Sequence, residues 1–458
     1  MRFLLSLTLT LGLLGCGDDG RRVSRDTPTT DMGGDPGDRD FGPPRSGNAT
    51  IYGQVWAPGN APGMVPAGHE IPIFDALVRL TVDRVPAIPA GVYCESCQDV
   101  GGWYSRSDHD GNFRIDNVVG GRYWLTIEKG QFRIERLIEI AEFDEYAAPA
   151  EATTLPSVHD PDSGSWVPRI AVATGIHDSL EDVLGKMSIG DVDGSGSYAV
   201  GAGTDQIDFY DNGGADFSGH MEGTLTDLVS DLGRMMQYHV IFIPCASAGH
   251  TSALQDSAVL DNIREYVQMG GKLYVTDWSG EWMDNVFPSF IELGAGEDTP
   301  AAAYDLESNT WNTSLFGDAD GSLYSSPDGE AVNTDLHAWL DGQSGPLAEG
   351  GTGTFNASYF DVVDSWNVVE NLERTLIGYD DEGLPVYDDP EAWVIGSVNG
   401  SGAKKPLTVT FEPGGCGRVL YSTYHTTGTP HDGLVPQERV LLYLIMEIGI
   451  CKTGPILI

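Results

Sequence analysis

Residues 260–282, LDNIREYVQMGGKLYVTDWSGEW, constrain the fold more than any other stretch. Leu260, Ile263, Tyr266 and Val267 recur at helical spacing and form one apolar stripe, while Asp261, Asn262, Arg264 and Glu265 fall on the wet side. Gly270-Gly271 stops the helix, since glycine enters the left-handed region without a Cβ clash. Leu273 to Thr276 then reads as a short buried strand. In open α/β sheets ligands sit at the carboxyl ends of strands, so the polar tip that follows is the first place to seek a site. Asp277, Trp278 and Trp282 are read as its binding rim, because aromatic faces stack on sugars and peptides; packing beneath neighbouring chain is the other use of the two indoles.

The same strand–helix rhythm runs on both sides. Residues 169–174 form an apolar strand, and 178–187 a helix with Leu180, Val183, Leu184 and Met187 on one side, its start marked by Asp178 and Glu181 as a capping box. Residues 225–236 repeat the helix pattern and 239–243 the strand. Strands follow at 393–398, 407–411 and 418–424, and a last helix at 436–450. This predicts a mostly parallel sheet covered on both faces, over 167–458. A segment rich in Gly, Asp, Asn and Ser at about 294–390 reads as a long insertion with short strands of its own.

At 458 residues the chain is too long for one core. Residues 47–146 alternate as half-buried strands do: TIYGQV, ALVRL, FRI and YWLTI, separated by Gly- and Pro-bearing turns. The fold class expected is therefore multidomain, all-β followed by α/β, with a Pro-, Ser- and Asp-rich linker at 147–166. The segments IYGQV, ALVRL, SDHDGNFRIDNV and GGRYWLTIEKG resemble the carboxypeptidase regulatory-like domain, which implies a prealbumin-like sandwich serving as an accessory module. Asp108, Asp110, Gly111 and Asn112 would make its tight turn.

The amino terminus has Arg2, an apolar run at 3–14, and Leu13-Leu14-Gly15-Cys16. The run is too short to cross a bilayer, for which about 20 residues are needed, and reads as an export signal. The tetrapeptide resembles the lipobox of bacterial lipoproteins. That implies a signal peptide at 1–15, acyl chains of the palmitate kind on Cys16, membrane lipid as a partner, and a place in the cell envelope on either the inner or the outer membrane. Residues 16–46, nearly devoid of apolar side chains, are expected to be a disordered tether. Against 25 Lys and Arg stand 68 Asp and Glu, a net charge of −43. Nucleic acid is excluded as a partner, because its binding depends on cationic groups displacing counterions from phosphate. The acidity serves solubility or takes calcium.

Export implies an oxidising compartment. With Cys16 acylated, five of the six cysteines remain, an odd number. Cys94-Glu-Ser-Cys97 allows a local disulfide, a redox pair or half a zinc site; Cys416–Cys451 is the other candidate pair, leaving Cys245.

The segments IAVATG, YHVIFIPC, LDNIREYVQMGGKLYVTD and GRVLYSTYH resemble the class I glutamine amidotransferase-like superfamily, including its ThuA-like branch. This implies a flavodoxin-like sheet. The family works through a Cys on a sharp strand-to-helix elbow, a His, and a Glu two residues after that His. Here the expected elbow holds Asp277-Trp278-Ser279-Gly280, His425 lies where the family's His would, and position 427 is Thr. The expected function is thus a lipid-anchored envelope protein whose larger module binds an envelope glycan or protein, or organises the envelope, without catalysis. The alternative is an envelope amidase or hydrolase using Cys245, with His250 or His425 as base, or Ser279 with His425 and Asp277 or Glu281.

Two metal readings attach to DVDGSGS at 191–197. Asp191, Asp193 and Ser195 stand at positions one, three and five of a calcium loop, but position twelve is Ala202, which excludes a true EF-hand. Asp193, Ser195 and Ser197 also spell an adhesion-type magnesium motif, and an ordinary Gly-rich turn is the third possibility. DADGS at 318–322 is a weaker echo.

Overall fold

The structure is a computed structural model, and it describes residues 46–94, 100–200, 206–246, 250–293, 304–305, 310–311, 328–348, 350–363, 365, 367–380, 382–397, 403–426 and 431–447. All of them lie in one compact unit, Pro43–Ile458. Cys16 with the signal and tether, Cys97, Cys451 and the 318–322 echo lie outside the described residues. The protein is mixed α/β with strand predominating.

Eight strands make up the amino-terminal half: β1 (Ala49–Gln54), β2 (Leu77–Thr81), β3 (Trp103–Arg106), β4 (Asn112–Val118), β5 (Gly121–Lys129), β6 (Phe132–Ile140), β7 (Glu145–Ala147) and β8 (Ser165–Trp166). They form two sheets, ordered β4-β1-β7 and β3-β2-β5-β6-β8. Period-2 alternation buries Ile51, Phe113 and Ile115 from one sheet with Val78, Leu125 and Ile127 from the other in a shared core. β8 falls inside the segment expected to be linker and instead extends the second sheet, Trp166 pairing with Arg133. The Asp108 turn is structural. Its Oδ1 accepts from the N–H of Asp110 and of Asn112, and Gly111 supplies φ +78°.

The carboxyl-terminal half is built on β9 (Ile170–Thr174), β10 (Ile207–Asp211), β11 (Met221–Thr224), β12 (Val240–Ile243), β13 (Lys272–Thr276), β14 (Asp328–Ala331), β15 (Phe360–Asp361), β16 (Glu391–Ser397), β17 (Lys404–Phe411) and β18 (Arg418–Ser422). They form one ten-stranded sheet in the order β11-β10-β9-β12-β13-β18-β17-β16-β14-β15. The first six run parallel; the last four join by antiparallel pairs. β14 and β15 come from the segment read as an insertion, and they widen the main sheet. Central strands such as VIFI and KLYVT are buried on both faces, so VIFI reads as an unbroken apolar run and KLYVT as an apolar centre between Lys272 and Thr276.

Helices α1 (Leu180–Lys186), α2 (Leu225–Val229), α3 (Leu232–Met235), α4 (Ser257–Gln268), α5 (Thr334–Leu340) and α6 (Pro436–Glu447) cover this sheet. In α4 the stripe of Leu260, Ile263, Tyr266 and Val267 is buried, and Gly270 follows with φ +111°. The single helix expected at 225–236 is two. Thr224 and Asp227 form a reciprocal capping box at the first, and Asp231 starts the second.

Alternate residues of the central strands face two different cores. Val172, Phe242 and Tyr274 share one with the sandwich and with Leu441 and Leu444 of α6. Ala171, Ile241 and Val275 share the other with α4. The two halves are therefore packed as one body. Trp339 Nε1 donates to Pro72 O at 2.8 Å, and Lys129 Nζ, 3% exposed, sits 2.7 Å from Glu447 Oε2.

The disulfide corrects the expected pairings Cys94–Cys97 and Cys416–Cys451. Cys94 is bonded to Cys416, with Cα atoms 5.2 Å apart. The cause lies at the carboxyl end of α4. Gly270 leaves room for the backbone of Tyr93, where a Cβ would come within 2.2 Å of its carbonyl oxygen. The N–H of Cys416 meanwhile donates to Gln268 O at 3.1 Å. Both cysteines are brought to one helix end, a long-range meeting that spacing along the chain cannot show.

Candidate functional site

The carboxyl ends of β9, β12, β13 and β18 converge, and each carries one polar group into the same buried region: Asp178, Cys245, Asp277 and His425. Asp277 is the residue after β13 and has φ +45°, in the left-handed region that side-chain-bearing residues seldom occupy. A short 3₁₀ turn, Asp277–Gly280, and a helical turn, Glu281–Asp284, follow. This is a strand-to-helix elbow with a carboxylate at its apex. Its backbone is held from below, Asp277 O accepting from Tyr421 Oη at 3.0 Å and from Asn367 Nδ2 at 3.4 Å.

His425 Nε2 lies 2.8 Å from Asp277 Oδ2, both side chains being essentially inaccessible. Cys245 is a buried free cysteine. Its sulfur, the Asp277 carboxylate and a ring nitrogen of His425 all lie within 4.8 Å of one another. Burial pushes the Cys245 thiol well up from its ordinary range, and the charge of Asp277 pushes the same way; a hydrogen bond from the backbone N–H of Trp278 acts against both.

Asp178 organises the cluster. It was expected to cap α1 with Glu181, but the N-cap position is Ser179 and makes no side-chain cap. Asp178 turns inward instead, accepting from Thr276 Oγ1 at 2.7 Å, Thr426 Oγ1 at 2.6 Å and Thr426 N–H at 3.0 Å. Thr276 Oγ1 in turn accepts the N–H of Cys245 at 2.8 Å. One carboxylate thus fixes the backbone at Cys245 and at the neighbours of Asp277 and His425. The sequence carries a signal for it, a Thr beside Asp277 and another beside His425 at their strand ends. Glu181 is buried nearby, and desolvation raises its carboxyl pKa to about 8.

The other expected site residues fall elsewhere. Ser279 Oγ donates to Pro244 O at 2.8 Å, so it serves the backbone and not His425. His250 Nε2 is 2.6 Å from Asn212 Oδ1. The binding rim needs correction: Asp277 and Trp282 are fully buried, and Trp282 is part of the α4-side core. Only Trp278 is partly exposed, its ring edge-on to His177 at 5.7 Å. The Trp282 ring packs instead against the His250 ring, 5.1 Å away. Asp191 and Asp193 lie on an exposed hairpin, where Asp193 Oδ1 accepts from Ser195 N–H, Ser195 Oγ and Ser197 N–H, forming a tight turn. Asp191, Asp193 and Ser195 are thus on the surface, apart from the buried cluster.

No family model matches the chain, and no curated protein matches it. Among solved structures it is similar to a cytoplasmic protein of Salmonella typhimurium, at 14% identity and a TM-score of 0.30, covering 62% of this chain and 97% of that one. It is also similar to the GH42 β-galactosidase Gan42B, at 11% identity and a TM-score of 0.26, covering 62% and 30%. A type II cohesin–X-dockerin complex of Acetivibrio cellulolyticus matches over 29% of this chain at a TM-score of 0.16. Likeness at these scores carries no argument about function.

Proposed function

We propose that this is a lipid-anchored cell-envelope protein, acylated at Cys16, whose prealbumin-like sandwich and amidotransferase-like α/β module together form a binding or organising ectodomain without thiol catalysis. The observation that carries the second part is the elbow. Its apex is Asp277, paired with His425, while Cys245 sits one strand away, buried and held protonated by its surroundings. A thiol nucleophile needs a lowered pKa and an open approach, and the environment of Cys245 opposes both. Ser279, the other candidate nucleophile, is committed to Pro244 O.

The test has two arms. The full chain is assayed on a panel of amides, esters, glycans and peptides, with and without alkylation of Cys245; turnover abolished by alkylation or by Ser279→Ala would establish the hydrolase reading in place of ours. Separately, the amino-terminal peptide of the mature chain is weighed by mass spectrometry. Acyl chains on Cys16, and detergent-phase partition lost in Cys16→Ala, are expected; unacylated chain free in culture fluid would end the anchoring proposal.

A further inference from the structure

We infer that Cys245, Asp277 and His425 form a binding site for a borderline-soft divalent cation, zinc by its donor set. Sulfur, imidazole nitrogen and carboxylate oxygen are the three donor types zinc takes, at about 2.3, 2.0 and 2.1 Å respectively. A thiolate in the set disfavours calcium and magnesium, which take oxygen. Tetrahedral coordination at those lengths sets donors roughly 3.3–3.7 Å apart. The three donors already lie within 4.8 Å of one another, with the imidazole and carboxylate at 2.8 Å. On binding, the imidazole and carboxylate would open slightly and the thiol would close in.

Two further observations point the same way. The donors stand at the ends of three neighbouring strands, β12, β13 and β18, so their spacing is set by the sheet and not by a mobile loop. The groups behind them form the outer shell such sites need: Asp178 anchors Thr276 and Thr426, Thr276 anchors the Cys245 N–H, and the Trp278 N–H reaches the sulfur. A cation would convert the thiol to a bound thiolate, releasing its proton to solvent, and would neutralise the buried charge of Asp277. It would also account for a reduced thiol persisting in a chain that elsewhere carries a disulfide.

The experiment uses the full chain with Cys16, Cys97 and Cys451 each changed to Ser, so that Cys245 is the one reduced thiol and neither acylation nor turnover enters the readout. It is equilibrated with Zn²⁺, desalted and analysed for metal, and a parallel sample is loaded with Co²⁺. One zinc per chain and a thiolate-to-cobalt charge-transfer band are expected, with a melting temperature that rises with free zinc. Adding Cys245→Ser should abolish the band and weaken zinc at least ~100-fold, and Asp178→Asn, which leaves the three donors intact, should weaken it ~10-fold. Zinc well below one per chain, or cobalt bound without the thiolate band, overturns the inference even if Cys245→Ser cannot be folded.

Discussion

Thr276 and Asp178 are joined by a hydrogen bond of 2.7 Å that ties the end of β13 to the loop after β9. Because Asp178 also accepts twice from Thr426, its removal would leave three buried donors without an acceptor. Asp178→Ala is expected to cost about 3 kcal/mol or more, each stranded buried group costing roughly 1–3 kcal/mol. Thr426→Val, which removes one donor and leaves the Asp178 carboxylate two others, should cost about 1 kcal/mol. Urea unfolding monitored by tryptophan fluorescence ranks the two; equal losses would show that Asp178 does not act as the hub.

The Cys94–Cys416 bond spans 322 residues. Cross-links that close long loops restrict the unfolded chain most, and its loss in Cys94→Ala should cost about 2–4 kcal/mol. Peptide mapping without reductant should recover the Cys94 and Cys416 peptides joined. Recovery of Cys416 joined to Cys451 would contradict the structure.

Glu181 gives stability a defined pH dependence. Its carboxyl titrates near 8 when folded and near 4.5 when unfolded, so between those values the folded state holds a proton that the unfolded state releases. This contribution is intact below 4.5, declines as pH rises, and is fully lost above about 8, with a limiting slope of ~1.4 kcal/mol per pH unit. His239, pushed down to about 4 by burial, acts only below 6.5. In the window from 6.5 to 8, Glu181 therefore contributes and His239 does not. Glu181→Gln should flatten the fall in melting temperature across it, and an unchanged fall would assign the dependence to other groups.

Lys186 and Glu438 form a buried ion pair, 3.4 Å apart and nearly inaccessible. Glu438 also accepts from the Val435 N–H and faces His431 at 3.0 Å. Glu438→Ala should cost about 3–5 kcal/mol, since it takes the paired carboxylate from a buried ammonium, which keeps the His431 Nε2 contact at 3.1 Å. The double change Lys186→Met with Glu438→Leu should recover most of that loss in thermal unfolding.

The sequence made the strands and the α4–β13 unit legible because these are governed by local periodicity. VIFI is apolar without interruption and KLYVT has an apolar centre, and Gly270 must stand where the helix turns out. It also singled out Asp277 and His425, each at a strand end. What it could not show was their meeting. His425 and Asp277 are 148 positions apart and adjoin only because β13 pairs in parallel with β18. Asp178 was misplaced for a related reason: a capping motif is a local pattern, and two Thr hydroxyls from distant strands outcompeted it. Trp282 read as a surface aromatic because the chain that packs over it is remote in sequence.

The covalent tie at the end of α4 has a consequence for how this molecule can be handled and how it can have diversified. A sandwich bolted to the middle of its neighbour, beside a central strand, and sharing an apolar interior with it, is no bead to be swapped along a string. Cutting between the halves would bare greasy faces on both fragments and sever a bond neither could re-form alone, so any shuffling of this architecture has to move the pair together.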